Sequence, residues 1–267
     1  MFARVLPRVG SLALPVLIAI LYLLPLSYWT LSSTLSEPVS LPSGLPFASL
    51  MLRTSLVSAI SASLAVLSAF PLALHWRLSG YRMRRAFVFL MVTPLIMGLL
   101  ARNYSWIGML SSQTWLSSMG WISLGGASIL YTLASVCLVM TCVFVPVAFF
   151  MMIQGICSVS LEHIDAARAL GVPDWKIIFV VILPLTRRAA LLAFAFIFAM
   201  ASGFFITPRM IGGGKYDFIS NAILLYVNLG SFGDASSVAL TFFAIMLLPI
   251  AVIVCYAVRL RHLVMGT

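Results

Sequence analysis

Residues 160–184 read SLEHIDAARALGVPDWKIIFVVILP, and the organisation of the chain follows from this stretch and its surroundings. Ser160 is a favoured N-cap type, and Glu162 and Asp165 fall in the early turns, where carboxylates oppose the positive end of a helix. The helix should run through Ala166, Ala167, Arg168 and Ala169, with Gly171 placed to end it in a left-handed cap. Pro173, with Asp174 beside it, suits the first turn of a second helix. That helix, Trp175 to Leu183, is apolar enough to lie against a membrane base, and Pro184 is expected to bend the chain into the next element. The pattern describes a short helix held by a turn, presented like a docking knob.

On either side the chain is overwhelmingly apolar. Of its 267 residues 63% are hydrophobic and 8% charged, against ~45–50% and ~25% in soluble domains. The mean hydropathy is +1.14, and so few charges could not cover a water-facing surface. A helical span needs ~20 apolar residues, and six stretches qualify: roughly 11–31, 50–75, 86–106, 128–156, 189–208 and 236–258. The first, behind Arg4 and Arg8, has a secretory signal as its alternative, but it is long for one and shows no clear small-residue cleavage site. Segment 107–127 carries Ser111, Ser112, Gln113, Ser117 and Ser118 with Trp115 and Trp121 as interface anchors, and reads as an external loop or surface helix. The longest connection is then 157–188.

Charge sets the orientation. Sixteen Lys and Arg oppose six acids, for a net charge of +10. In a membrane protein this excess points to cytoplasmic loops rather than to nucleic acid. With six spans and both termini in the cytoplasm, Arg4, Arg8, Arg77, Arg82, Arg84, Arg85, Arg168, Lys176, Arg187, Arg188, Arg259 and Arg261 are inside. Arg53, Arg102, Arg209 and Lys215 are outside. A seventh span at 107–127 would move four of the inner cations out and break the pattern.

Several features read as packing. Pro71, Pro94, Pro146 and Pro249 lie within or near the ends of spans, where they tend to kink helices. Ser55-Ala59-Ser63 and Ala195-Ala199-Gly203 form small-residue stripes that permit close helix approach or, alternatively, line a pathway. Cys137, Cys142, Cys157 and Cys255 lack CxxC spacing and are expected to be buried packing residues. His75, His163 and His262 are scattered, and no HExxH or GxSxG occurs. Gly212-Gly213-Gly214-Lys215 is no phosphate loop, because position 209 is Arg and position 216 is Tyr. No acid falls inside a span, which argues against an ion-coupled transporter working alone; a membrane-embedded enzyme lacks a visible nucleophile–base or metal set.

Asp165-Ala166-Ala167, three residues, Gly171, then Val181, Leu183 and Pro184 resembles the EAA signature of permease subunits of bacterial ABC importers, with Asp for Glu and Val for Ile. Residues 100–106 (LARNYSW) and 205–213 (FITPRMIGG) are similar to the spermidine/putrescine branch of that family, a branch that also serves opines, phosphonates and other small solutes. The resemblance implies an all-α integral membrane protein, with six transmembrane helices of the type I importer kind forming a single domain over residues 1–267. It implies a cytoplasmic coupling helix between helices 4 and 5, and ATPase coupling through Asp165, Ala166, Ala167, Arg168, Leu170, Gly171, Leu183 and Pro184. Implied partners are an ABC ATPase dimer, a second permease subunit (identical or not), a periplasmic solute-binding protein and the lipid of the bacterial inner membrane. The chain itself is expected to be no enzyme and to hold no cofactor, ATP being bound by the partner. Tyr104, Trp106, Ala195, Ala199 and Gly203 are candidates for the translocation pathway.

Solute identity is less determined. A polycation would meet Glu37, Asp217 and Asp234 against four basic residues outside, with Tyr104 and Trp106 offering at most cation–π contacts. The basic excess fits an anionic or zwitterionic solute as well, and selection is expected to lie in the binding protein.

Overall fold

The computed structural model describes residues 46–111 and 129–264. The expected first span, 11–31, and the loop carrying Trp115 and Trp121 lie outside them. Every regular element among the described residues is helical. In order these are α1 (Phe47–Leu78), α2 (Tyr81–Ile96), α3 (Leu99–Leu110), α4 (Leu133–Cys157), α5 (Leu161–Ala169), α6 (Asp174–Ile177), α7 (Leu183–Ser202), α8 (Ile206–Ile211), α9 (Ile219–Asn228) and α10 (Phe232–Val264). Contacts divide the chain into two compact units, one of them containing Pro46–Asn221 and Ala244 onward; the described part of the other is Ala222–Phe243.

The core of the larger unit is a three-helix packing of α1, α4 and α7. α4 supplies bulk, with Met140, Phe144, Phe149, Met152 and Ile156 almost fully buried. α1 supplies small side chains, because Thr54, Ser58, Ser61, Ala62, Ala65, Ala69 and Ala73 form its buried face. The expected stripe Ser55-Ala59-Ser63 lies beside that face and is only half-buried. In lipid a hydroxyl has no water to satisfy it, so these helices bond their own carbonyls. Thr54, Ser55, Ser63 and Ser68 donate to Leu50, Met51, Ala59 and Leu64 O at 2.8, 2.7, 2.8 and 2.8 Å. The second stripe drifts off its helix face, with Ala195 buried but Ala199 and Gly203 exposed. Four residues advance a helix by ~400°, so such a spacing rotates by ~40° per step.

Among the described residues, four helices are long and apolar enough to cross a membrane: Phe47–Leu78, Leu133–Cys157, Trp175–Ser202 and Phe232–Arg259. They correspond to the expected spans 50–75, 128–156, 189–208 and 236–258, with two departures. The expected third span, 86–106, is broken: α2 and α3 meet at 100° across Met97 and Gly98. Pro94 inside α2 removes an N–H two residues before the helix ends at Ile96. Across the bend Arg102 donates from Nη1 to Pro94 O at 2.9 Å. At 1.5 Å per residue the two arms measure about 24 and 18 Å, each short of a ~30 Å hydrocarbon core.

The second departure is at Pro184. The expected bend is absent, and the helix runs on from Trp175 to Ser202. Residues Ile178–Ile182 form a π-helical turn in which Leu183 N–H donates to Ile178 O, five residues back. Its wider bore opens the space that a proline ring, lacking an N–H, needs against the preceding turn. Arg187 and Arg188 consequently sit in α7 rather than in the connection. None of the cysteines is buried as expected: Cys137 is half-buried, while Cys142, Cys157 and Cys255 are exposed. A span meets lipid on its outer face, so a thiol in an apolar run does not have to enter the core.

Candidate functional site

The chain between α4 and α7 is a helical elbow. Ser160 takes the extended N-cap conformation, with ψ of 147°, and α5 follows. Gly171 has φ of +74°, the left-handed region that L side chains resist. Its N–H donates to Arg168 O at 2.9 Å, and Val172 N–H donates to Ala167 O at 3.1 Å. This pair of bonds is a Schellman cap, which satisfies the carbonyls left open where the helix stops. The next turn starts at once, with Lys176 and Ile177 N–H bonding Pro173 O.

α5 has two unlike faces. Ile164 is 7% exposed and anchors the inner face, with Ala167 half-buried beside it. Glu162, Asp165, Ala166 and Ala169, at i, i+3, i+4 and i+7, face outward together. Asp165 and Arg168 form an exposed ion pair at 3.8 Å. Leu170 is 83% exposed at the tip, and Gly171 is exposed next to it. Leu183 and Pro184 are exposed at the start of α7. The outward surface therefore combines small residues, one apolar tip and two acids, and it is bare.

Both sides of the elbow are fixed. Gly155 of α4 lies so close to α7 that an added Cβ would collide with Ala189 Cβ. Arg77, in the last turn of α1, donates from Nη1 to Ile156 O and from Nη2 to Val159 O, the latter at 2.5 Å. The Arg77 carbonyl in turn accepts from Arg84 Nη2 at the start of α2.

The opposite end of the same unit joins the two other motifs. Asn103 and Thr207, 104 residues apart and fully buried, share a hydrogen bond in which Thr207 Oγ1 donates to Asn103 Oδ1 at 2.9 Å. Asn103 Nδ2 donates to Leu99 O at 2.9 Å, so the amide is used on both sides. Arg209 pairs with Asp217. Arg53 donates to Lys215 O at 3.0 Å and lies over the Tyr216 ring at 5.8 Å. With its amide oriented to satisfy both neighbours, Asn221 donates to Phe205 O and accepts from Phe218 N–H. Gly213, at φ +60°, packs where a side chain would strike the Tyr131 ring. Of the pathway candidates, Tyr104 is 65% exposed, Trp106 half-buried and Ala195 buried. The Asn103–Thr207 pair escaped sequence reasoning; its signal was an amide placed, with Arg102 and Ser105 beside it, inside an expected membrane span.

An all-helical chain with several membrane-length helices, a kinked apolar pair and a bare polar elbow defines a multi-pass membrane transport component. The profile of the family described as "Binding-protein-dependent transport system inner membrane component" matches residues 40–262. The chain belongs to that family, and is an all-α permease component of an ABC importer in the inner membrane. It is similar to the spermidine/putrescine transport system permease protein PotB of Escherichia coli (strain K12), with 26% identity over 198 residues, 72% of each chain. PotB of Shigella flexneri matches to the same extent.

Proposed function

We propose that the chain forms, with a second permease subunit, the solute pathway of an importer driven by an ABC ATPase dimer and fed by a periplasmic binding protein. All of residues 1–267 make one transmembrane domain of six spans, with both termini and the elbow in the cytoplasm. The observation that carries this reading is the bare outer face of α5, with Asp165, Ala166, Ala169 and Leu170 presented on a helix whose end is fixed by Gly171. A surface of small residues with a protruding leucine suits a groove on a partner. ATP-driven closure of the ATPases would move the elbow and bias the spans between two states. Cysteine at position 166 should cross-link to the ATPase subunit in native membranes; a failure to form that cross-link in an assembled, active importer sinks the proposal.

The solute is a polyamine, as in the PotB relatives. The basic excess outside is a single charge, four cations against three acids, and three of those cations already have hydrogen-bond partners within the chain. Arg209 holds Asp217, Arg53 holds the Lys215 carbonyl and Arg102 holds the Pro94 carbonyl. The binding protein does the selecting, because ammonium groups are costly to desolvate along spans without acids. Uptake of labelled putrescine and of an opine, compared in the same vesicles with saturating binding protein, tests this. Tyr104→Ala and Trp106→Ala should lower the maximal rate and leave half-saturation unchanged; opine uptake alone would overturn the polyamine assignment.

A further inference from the structure

The α4–α5 junction is tied to α1 through one guanidinium. Arg77 spans Ile156 O in the last turn of α4 and Val159 O, one residue before the N-cap of α5. Helix C-termini leave carbonyls open and carry partial negative charge, so a cation there satisfies both needs. Ile156 and Val159 are 0% and 4% exposed, which leaves water little room to replace the side chain. Arg77 is itself held, since its carbonyl accepts from Arg84 Nη2, and Arg84 Nε also donates to Ser79 O at 2.9 Å. Trp76 Nε1 closes the set by donating to Arg84 O at 3.1 Å. The ends of α1, α2 and α4 therefore meet at one point, and α5 begins there.

We infer that Arg77 is a positioning residue for coupling, the joint through which movement of α5 is passed to α1 and hence to the α1–α4–α7 core. This rests on α5 being the ATPase-docking helix, as proposed above. Ile164 packs α5 inward and the Gly171 cap fixes its far end. The near end has the arginine fork as its link to a helix outside the α4–α7 hairpin. A fork with two parallel donors resists rotation where a single donor acts as a pivot. Without it α5 still presents its outer face, so docking persists while the stroke is absorbed locally.

The test uses the complete importer, purified through this chain and reconstituted in proteoliposomes, with Ala166→Cys as the cross-linking reporter. In Arg77→Ala the cross-link to the ATPase and basal hydrolysis should persist, while solute moved per ATP falls about tenfold, within the range of ordinary coupling free energies. Arg77→Lys, which offers one compact donor group, should fall between wild type and alanine, and it carries the test if the alanine variant fails to assemble. Solute moved per ATP equal to wild type in the assembled variant, with the cross-link intact, overturns the inference. Loss of the cross-link in both variants, with the importer otherwise assembled, also overturns it, because Arg77 would then serve docking itself. No cross-link in the chain with Arg77 intact would instead defeat the docking proposal, a separate result.

Discussion

At residue 171 the decisive quantity is a dihedral angle. An added Cβ would meet nothing within 4 Å, so substitution there is opposed by φ +74° alone. A β-branched side chain in that region costs about 1–2 kcal/mol, while asparagine is tolerated. Gly171→Val should therefore release the ATPase subunit during purification, and Gly171→Asn should retain it; equal retention by both would detach the cap from assembly. The buried pair at the other end of the unit makes a different demand. Removing one partner strands the other in an apolar site, at about 1–3 kcal/mol. Asn103→Ala and Thr207→Val should each lower the thermal midpoint in detergent, and the double variant should lose less than the two losses added together. Additive losses would mean that the bond contributes nothing.

Among the elements, the contact of α4 with α7 is the most exacting. Gly155→Ala would place a methyl group on Ala189 Cβ, an overpacking worth about 1–3 kcal/mol. The expected outcome is reduced heat stability, restored by adding Ala189→Gly; no rescue would show that the helices adjust by another route. Much of the architecture was legible because long apolar runs have few alternatives in lipid, and α1, α4 and α10 follow directly. The elbow was legible for local reasons: Ser160, Gly171 and Pro173 act on the backbone within a turn or two. The size of the break between α2 and α3 was not, since Pro94 announces a kink but hydropathy does not register its 100° angle. Nor was the joining of Asn103 to Thr207, because a contact across 104 residues leaves no periodicity to find.

For the molecule as a whole, the testable property is which way it faces. α1 and α4 run parallel, since Arg77 reaches Ile156 at one end and Ser61 Oγ donates to Cys137 O toward the other, where Thr54 Oγ1 also receives Ile219 N–H. α7 returns from Ala189 beside Gly155 to Ser202, whose carbonyl accepts from Ser220. Gly80 and Asp174 therefore belong to one end and Lys215 to the other. In a background free of the native cysteines, Lys215→Cys should react with an impermeant thiol reagent added to intact spheroplasts. Gly80→Cys and Asp174→Cys should react only after the membrane is opened. Labelling of position 174 from outside would invert the chain and remove the elbow from the reach of any cytoplasmic partner.

The π turn at Ile178–Ile182 gives chain length an angular meaning. The signature counts nine residues from Gly171 to Val181, and that count runs into the turn that holds one residue more than an α-helix would. Excising Phe179 would leave every matching side chain in the chain and let the segment close into ordinary α-helix. Everything before it would keep its bearing around the axis of α7, because a π turn closes over five residues where an α turn closes over four. Asp165 and Leu170 would still point at the same quarter of the compass, on a surface of unchanged composition. Between homologous chains, a one-residue gap at this place should therefore be tolerated, whereas one within regular α7 would turn the elbow by about 100°, because what is inherited is a bearing.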